Sequence, residues 1–393
     1  MSAEGLEYGP AKAEEHDVLA KVLSAAFAFD LKFYPAWFEA LGHDNLRVVR
    51  RGGEVVAGLG LIDMGMYWGG RSVPMYGIAA VGVRADLLRR GVATWMMQEA
   101  VREIRSLGAG LSALFASTRP LYRKAGYEVA GVRCSVDVLA REIPIQERSL
   151  SVRLATEDDL PAVTALYEAQ APAYPGFLDR GRYIWPRLTK ERFGKAAYGL
   201  LFEGDDGLEG YVYYRKHPNP GSRAQLELTD CVARTSAAWR RIWVALRDQG
   251  TMVESIKLWT AANDPLLVAF PDPRFSLRVW ETWMLRVCDV ESALRARGYP
   301  TGLDVVLDFD VRDAAIPDNA GHWRLRIRDG EGHIERGGSG TIRLDTRALA
   351  SLYAGFTTPE AMSALDLLDA PADARAKLTA AFAGPQAWMR EMF

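Results

Sequence analysis

Two short runs carry residue types that could do chemistry. The first is Val81-Gly82-Val83-Arg84-Ala85-Asp86-Leu87-Leu88-Arg89-Arg90-Gly91-Val92-Ala93. A β-branched stretch runs into two arginines and a glycine, and an apolar helical pattern starts there. The first turn of a helix has unpaired backbone N–H groups, and its partial positive charge favours phosphate. Gly91 removes the side chain where a pyrophosphate would approach the backbone. Arg89 and Arg90 add charge and forked donors. The same residues also suit a surface loop with two solvated arginines, because short glycine–arginine motifs recur by chance. The second run is Leu121-Tyr122-Arg123-Lys124-Ala125-Gly126-Tyr127. It follows an apolar strand pattern at Leu111–Phe115. Tyr122 falls on a short helix just past the strand end, where a phenol can face the preceding strands. Two tyrosines in a turn can equally well just pack.

The elements around these runs are read from periodicity. Val18, Leu19, Val22, Leu23 and Ala26 share one face of a helix over Glu14–Phe29. A second helix is predicted over Phe33–Leu41, with Pro35 in its first turn. Strands Leu46–Arg51, Glu54–Tyr67 and Arg71–Val83 are joined by Gly52-Gly53 and Gly69-Gly70, which makes an antiparallel meander. The helix after Gly91 shows Val92, Trp95, Met96, Ala100 and Ile104 on one face. A short helix near Arg119–Lys124 and a strand over Tyr127–Leu139 close this unit. The charged segment Arg141–Leu150 reads as a linker. The chain then repeats strand, acidic helix start and apolar helix at Val152–Ala171, a weak echo of its own beginning that points to internal duplication. Strands near Tyr198–Phe202, Gly210–Tyr214 and Ala224–Ala233 and a helix over Ser236–Asp248 follow. A third unit, about Val290–Phe393, carries strands at Leu303–Phe309, Trp323–Ile327 and Gly340–Asp345. Helices are predicted there at Ala348–Ala354, Pro359–Leu367 and Ala374–Phe382. The chain stops at Met392-Phe393 without a polar tail, so Trp388, Met389, Met392 and Phe393 are expected to dock on a neighbouring surface.

At 393 residues the chain has room for two or three domains. Hydrophobic residues make up 49% and charged residues 25%, which excludes a disordered chain. Cys134, Cys231 and Cys288 are far apart and match no metal pattern, so reduced thiols in a cytoplasmic protein are expected. The five histidines show no metal spacing either. Trp239, Trp243, Trp259, Trp280 and Trp283 read as core or subunit interface. A net charge of −2 offers no global field for nucleic acid. No apolar stretch approaches the roughly 18–20 residues that span a bilayer.

Together the two runs resemble the GNAT N-acetyltransferase family. Gly91-Val92-Ala93 fits the end of that family's Arg/Gln-x-x-Gly-x-Gly/Ala turn, and Tyr122, Gly126 and Tyr127 fit its Tyr-x-x-x-Gly-Tyr/Phe pattern. Leu88 departs from the usual Arg/Gln. The wider chain resembles the Eis (enhanced intracellular survival) acetyltransferases. The matching stretches are the double hairpin with Gly69-Gly70, Tyr76–Val83, the Arg89-Arg90-Gly91 turn, Ala116-Ser117 before LYRKAGY, WMLRVCDVESALRARGYP, and GSGTIRLDTRALASLYAGFTTPEAM. The resemblance implies a mixed α/β chain: an active GNAT domain over 1–145, a degenerate second GNAT domain over 146–289, and a sterol-carrier-like α+β domain over 290–393. The second unit lacks an Arg-Arg-Gly turn of its own.

The resemblance also implies roles. Acetyl-CoA is the co-substrate, with no metal. Pantetheine would add along Val81, Gly82 and Val83, the pyrophosphate would sit on Arg89, Arg90, Gly91, Val92 and Ala93, and Ser117 would also contact the coenzyme. The terminal carboxylate of Phe393 would be the general base, taking Met392-Phe393 as the native end. Tyr122 would protonate the leaving thiolate. Asp30, Phe33, Trp37 and Glu391, with Phe38 nearby, would line the acceptor pocket. The acceptor would be a primary amine on a polycationic small molecule such as an aminoglycoside, and the assembly a closed homo-oligomer, commonly a hexamer. Alternatives are an acetyltransferase for lysine, peptide or polyamine amines, or a non-catalytic acyl-CoA-binding regulator, which the Leu88 departure makes conceivable.

Overall fold

The computed structural model describes residues 5–219, 222–270, 272 and 274–393; the acidic start, Met1–Glu4, lies outside them. From the N-terminus come β1 (Leu6–Pro10), α1 (His16–Phe27), α2 (Tyr34–Leu41), β2 (Leu46–Arg51), β3 (Glu54–Trp68), β4 (Arg71–Val83), α3 (Val92–Ser106), β5 (Leu111–Phe115), α4 (Arg119–Arg123) and β6 (Glu128–Leu139). Next are β7 (Ser151–Leu154), α5 (Leu160–Gln170), β8 (Leu178–Asp179), α6 (Ile184–Thr189), β9 (Ala197–Gly204), β10 (Gly207–His217), β11 (Ala224–Ala233), α7 (Ser236–Arg247), β12 (Val253–Thr260), α8 (Leu266–Ala269) and β13 (Phe275–Val287). The last stretch holds α9 (Val290–Ala296), β14 (Val305–Arg312), β15 (Gly321–Arg328), β16 (Glu331–Arg336), β17 (Ile342–Asp345), α10 (Thr346–Tyr353), α11 (Pro359–Ala364), β18 (Leu368–Asp369) and α12 (Ala372–Ala381). The chain forms two compact units. One comprises Met1–Gly131, Trp283–Pro385 and Phe393; the other comprises Val132–Thr282 and Gln386–Met392.

In the first unit, β2 to β4 form the expected antiparallel meander, β1 adds antiparallel to β2, and β5 lies parallel to β4 through the α3 crossover. β3 reads as a nearly continuous apolar run and is buried along almost its whole length, as expected of a strand covered on both faces. The apolar stripe of α3, Val92, Met96, Met97, Ala100, Val101 and Ile104, is buried. The chain returns late to this sheet: Trp283–Val287 of β13 pairs antiparallel with the whole of β5. The same unit holds a separate five-stranded sheet, ordered β16-β15-β14-β17-β18. Alternate residues of β14 and β15 are buried, which marks a sheet with one face on a core.

A buried polar cluster ties this second sheet to β13. Arg286 and Asp313 are ion-paired at 2.5 Å, with side chains 0% and 1% exposed. Asp313 also accepts bonds from the N–H groups of Ala315 and Ile316 and from the Asn319 amide, each at 3.0 Å. Such a pair is tolerable in the interior only because these bonds replace water.

In the second unit the strands run in the order β6-β12-β11-β10-β9-β7, with β11 and β12 parallel. The predicted linker is packed rather than loose. Ile143 and Ile145 are 2% and 9% exposed and belong to the core under α7, and Arg247 donates to the Ile145 carbonyl at 2.6 Å. All three cysteines are free thiols. Among the described residues no helix is long and apolar enough to cross a membrane.

Asp313→Ala would leave the Arg286 guanidinium buried without its partner. The expected cost is about 3–5 kcal/mol, seen in calorimetry as a lowered unfolding temperature. An unchanged transition would show that the cluster carries no stability.

Candidate active site

The parallel strands β4 and β5 part early. Their pairing runs from Met75↔Leu111 through Tyr76↔Ser112 and stops at Gly77↔Ala113. β4 continues to Val83 bonded only to β3. On that side Gly58 faces Gly82 and Gly60 faces Ala79, so Ala80 and Val81 together oppose Leu59. This is a β-bulge, and Ala80 takes the positive φ of 53° that such an insertion needs. Among the described residues no strand covers the outer edge of 78–83, so an extended ligand can add there as a strand. Val81 stays half-buried. Gly82 has a different local cause: a side chain there would come within 2.7 Å of Leu23 on α1, so the missing side chain lets the helix pack on the strand.

β4 leads through Arg84–Arg90 to the N-terminus of α3. Gly91 is the N-cap, with φ +87° and no side-chain cap over the first turn. A side chain at Gly91 would meet nothing within 4 Å, so backbone conformation rather than crowding calls for glycine, and the space before the turn is open. Arg84 is ion-paired with Asp86 at 2.7 Å and with Glu54 at 3.2 Å. Arg89 and Arg90 are exposed and, among the described residues, have no carboxylate partner. Leu88 is 57% exposed, an apolar side chain in water where a donor is usual. An open helix N-terminus flanked by two free guanidiniums fits a pyrophosphate.

Two tyrosines sit in unlike settings, Tyr122 on α4 and Tyr127 just past it. Tyr127 is wholly buried, and its hydroxyl and that of Ser112 are hydrogen-bonded at 2.8 Å. Tyr122 is 5% exposed and shares a hydrogen bond with Ser117. Burial holds its phenol above the usual range, while the Ser117 bond pulls the other way. The phenol is therefore protonated at neutral pH and can give a proton. Gly126 between them has φ +88°, and a Cβ there would stand 2.7 Å from Nε of Arg286. The motif glycine is thus held by the buried arginine of β13.

Phe393 meets the parting strands. The Phe393 ring stands edge-on to Phe115, with centroids 5.8 Å apart. A Cβ on Gly77 would come within 2.3 Å of the Met64 methyl and 2.6 Å of the same ring. Gly77, the last residue of β4 paired with β5, therefore makes room for the Met64 methyl and the Phe393 ring.

Three of the expected acceptor residues, Asp30, Phe33 and Trp37, lie on one short stretch that leads into α2. Asp30 is exposed, accepts from the Lys32 N–H at 3.0 Å and is ion-paired with the Lys32 ammonium at 2.8 Å; these contacts hold its carboxyl below the usual range. Phe33 and Trp37 are half-buried, and Trp37 lies against Gly60 of β3 and edge-on to Tyr34. Glu391 belongs to the second unit, is 4% exposed, and accepts from Arg180 at 2.6 Å. Arg180 also pairs with Asp230, which pairs in turn with Arg390. A carboxylate this buried needs a cation, and Glu391 has found one inside its own unit. Arg187 holds the Met392 carbonyl at 2.8 Å, so the tail is anchored residue by residue. Sequence reasoning overlooked Gly77, Ser112, Phe115 and Arg180. Gly77 carried a readable signal, since a glycine inside a strand pattern marks a close approach. Among the described residues no group of three metal-ligating side chains occurs.

An acetyltransferase (GNAT) domain model matches residues 7–130, a second matches 176–287, and a sterol carrier protein domain model matches 290–390. An uncharacterized N-acetyltransferase of Streptomyces avermitilis is 32% identical over 73% of each chain. N-acetyltransferase Eis of Mycobacterium bovis is 30% identical over 85% of each chain. Among solved structures, a GCN5-related N-acetyltransferase from Anabaena variabilis superposes with a TM-score of 0.95 at 31% identity, covering 99% of this chain and all of that one. Eis1 from Mycobacterium abscessus gives 0.81 at 25% identity, covering 99% of this chain and 100% of that one. Two GNAT domains followed by a sterol-carrier-like domain make up the chain, and it belongs to the Eis family of GNAT N-acetyltransferases.

Proposed function

We propose that the chain transfers the acetyl group of acetyl-CoA to a primary amine of a cationic small molecule such as an aminoglycoside, with the Phe393 carboxylate as base and Tyr122 as acid. The observation that carries this reading is the fit of the Phe393 ring over Gly77, where β4 and β5 part. Acetyl-CoA supplies an activated thioester. The free edge of Val81–Val83 suits its pantetheine, and the open first turn of α3 with Arg89, Arg90, Gly91, Val92 and Ala93 suits its pyrophosphate. Ser117 orients the Tyr122 hydroxyl.

The acid–base assignment follows from ordinary acidities. An alkylammonium has a pKa of about 10, and a chain-terminal carboxyl is ionised above about 3.5. Taking Phe393 as the native end, its carboxylate can accept the amine proton, directly or through water. Tyr122 holds the proton that a leaving thiolate needs. The backbone N–H of Val83 is the proposed donor to the carbonyl oxygen. Asp30 is neutralised by Lys32 and Glu391 by Arg180, so the half-buried rings of Phe33 and Trp37 carry more of the acceptor contact than sequence reasoning gave them. Glu391 anchors the tail in this scheme. The second GNAT domain, without a free phosphate turn, is read as non-catalytic. Val279 and Trp280, 61% and 59% exposed, support a homo-oligomer, a hexamer by family likeness. The proposed location is the cytoplasm.

The direct test is thiol release from acetyl-CoA with a panel of aminoglycosides, polyamines and lysine peptides. Release with several aminoglycosides supports the reading; release with lysine peptides alone would move it to a protein acceptor. Tyr122→Phe should lower kcat about 100-fold and leave acetyl-CoA affinity unchanged, so an unaltered rate removes Tyr122 as the acid. Gly91→Glu should weaken acetyl-CoA binding about tenfold or more, because a carboxylate would stand at a phosphate position with strained backbone. Calorimetric titration reads this, and intact affinity would place the phosphates elsewhere.

A further inference from the structure

The second unit holds a cavity that the proposed acetyl transfer leaves without a role. β11 and β12 pair from Ala224↔Val253 to Glu227↔Lys257 and no further. Beyond that rung, Leu228 and Asp230–Ala233 on one strand and Leu258–Thr260 on the other wall a cavity of about 150 Å³. The arrangement repeats the parting of β4 and β5, with α7 as the crossover. The phosphate end is missing. Only Arg234 and Thr235 separate β11 from α7. The Thr235 hydroxyl caps the Ala238 N–H at 3.1 Å and donates to Glu209 at 2.5 Å. A capped helix start beside a carboxylate repels a pyrophosphate, so the nucleotide end of a coenzyme finds no cradle while the cavity persists.

Its lining indicates what it takes instead. Tyr174, Phe177, Trp239, Trp243 and Trp388 supply aromatic rings. Asp230 is already matched: Arg180 and Arg390 face Asp230 and Glu391, two guanidiniums against two carboxylates. Cys231 adds no charge, since burial pushes its thiol up to about 12. Asp264 is the remaining charge. It accepts from the Thr260 hydroxyl and from the Leu266 N–H at 2.8 Å, and among the described residues it has no ion-pair partner. The rings already attract a cation, for the Arg390 guanidinium lies 5.3 Å from the Trp388 ring and 5.5 Å from that of Phe177. Aromatic faces with one unmatched carboxylate favour an organic cation, and a space near 150 Å³ holds about one six-membered ring. We propose that this cavity binds a small monocyclic ammonium compound, its hydrocarbon among the aromatic side chains and its ammonium on Asp264.

The test titrates 2-phenylethylamine and its neutral isostere 2-phenylethanol into the full chain, calorimetrically and without acetyl-CoA. The amine is expected to bind one saturable site about tenfold tighter than the alcohol. Asp264→Asn should erase that preference by weakening the amine about tenfold and leaving the alcohol unchanged. Ala233→Phe, which fills the cavity, should abolish binding of both while the thermal transition stays in place. Equal affinity for the two compounds, or no saturable binding, would overturn the proposal. So would amine binding indifferent to Asp264→Asn, which would put the amine at the acceptor site of the first unit. The result is independent of acetyl transfer, so either reading can fail alone.

Discussion

Three rungs are all that β4 and β5 share, and the end of that pairing at Gly77 organises the first unit. Parallel strands normally bury both edges in hydrogen bonds. Here a bulge at Ala80 and Val81 interrupts β4, and the Met64 methyl and the Phe393 ring crowd the place a Gly77 side chain would take. One consequence is a free backbone edge that an extended ligand can fill. Another is that β4 delivers the chain to the open N-terminus of α3. β5 ends just before Ser117 and Tyr122, on the far side of the gap. The proposed chemistry depends on this one interruption of a sheet.

Such an interruption must be held open, and buried charge does much of that work. Arg286 enters the first unit's sheet on β13, lies against Gly126 and is held by Asp313, which the Asn319 amide braces in turn. The turn carrying Tyr122 and Tyr127 therefore rests on a residue more than 150 positions later in the chain. In the second unit, Arg180, Asp230, Arg390 and Glu391 do the same for the tail. Pairs of this kind contribute little net stability against apolar replacements, but they are costly to break singly, which suits them to fixing a geometry.

Much of this was legible in the residues. The strand periods and glycine pairs gave β2, β3 and β4 nearly to the residue, and the apolar stripe of α3 was readable from its single buried face. Gly91, Tyr122 and Gly126 were readable because their spacing is tied to local backbone conformation. β12 and β16 were missed: VESIKLWT and EGHIER mix charges into short alternations that a single sequence does not separate from loops. The segment Arg141–Leu150 was misread because Ile143 and Ile145 become core only once α7 lies over them. The fate of Glu391 was hidden for a related reason, since its partner Arg180 is 211 positions away. Long-range ion pairs leave no periodic trace.

The role of Phe393 as base is the claim on which the account stands, and it concerns a carboxylate that exists only at a chain end. The most direct measurement appends a single alanine after Phe393 and follows thiol release from acetyl-CoA with a saturating amine. The ring of Phe393 can keep its place over Gly77 while its carboxyl becomes an amide. The account predicts a fall in kcat of about 100-fold or more with acetyl-CoA affinity retained. Full turnover by the extended chain would contradict it and move the base to another group.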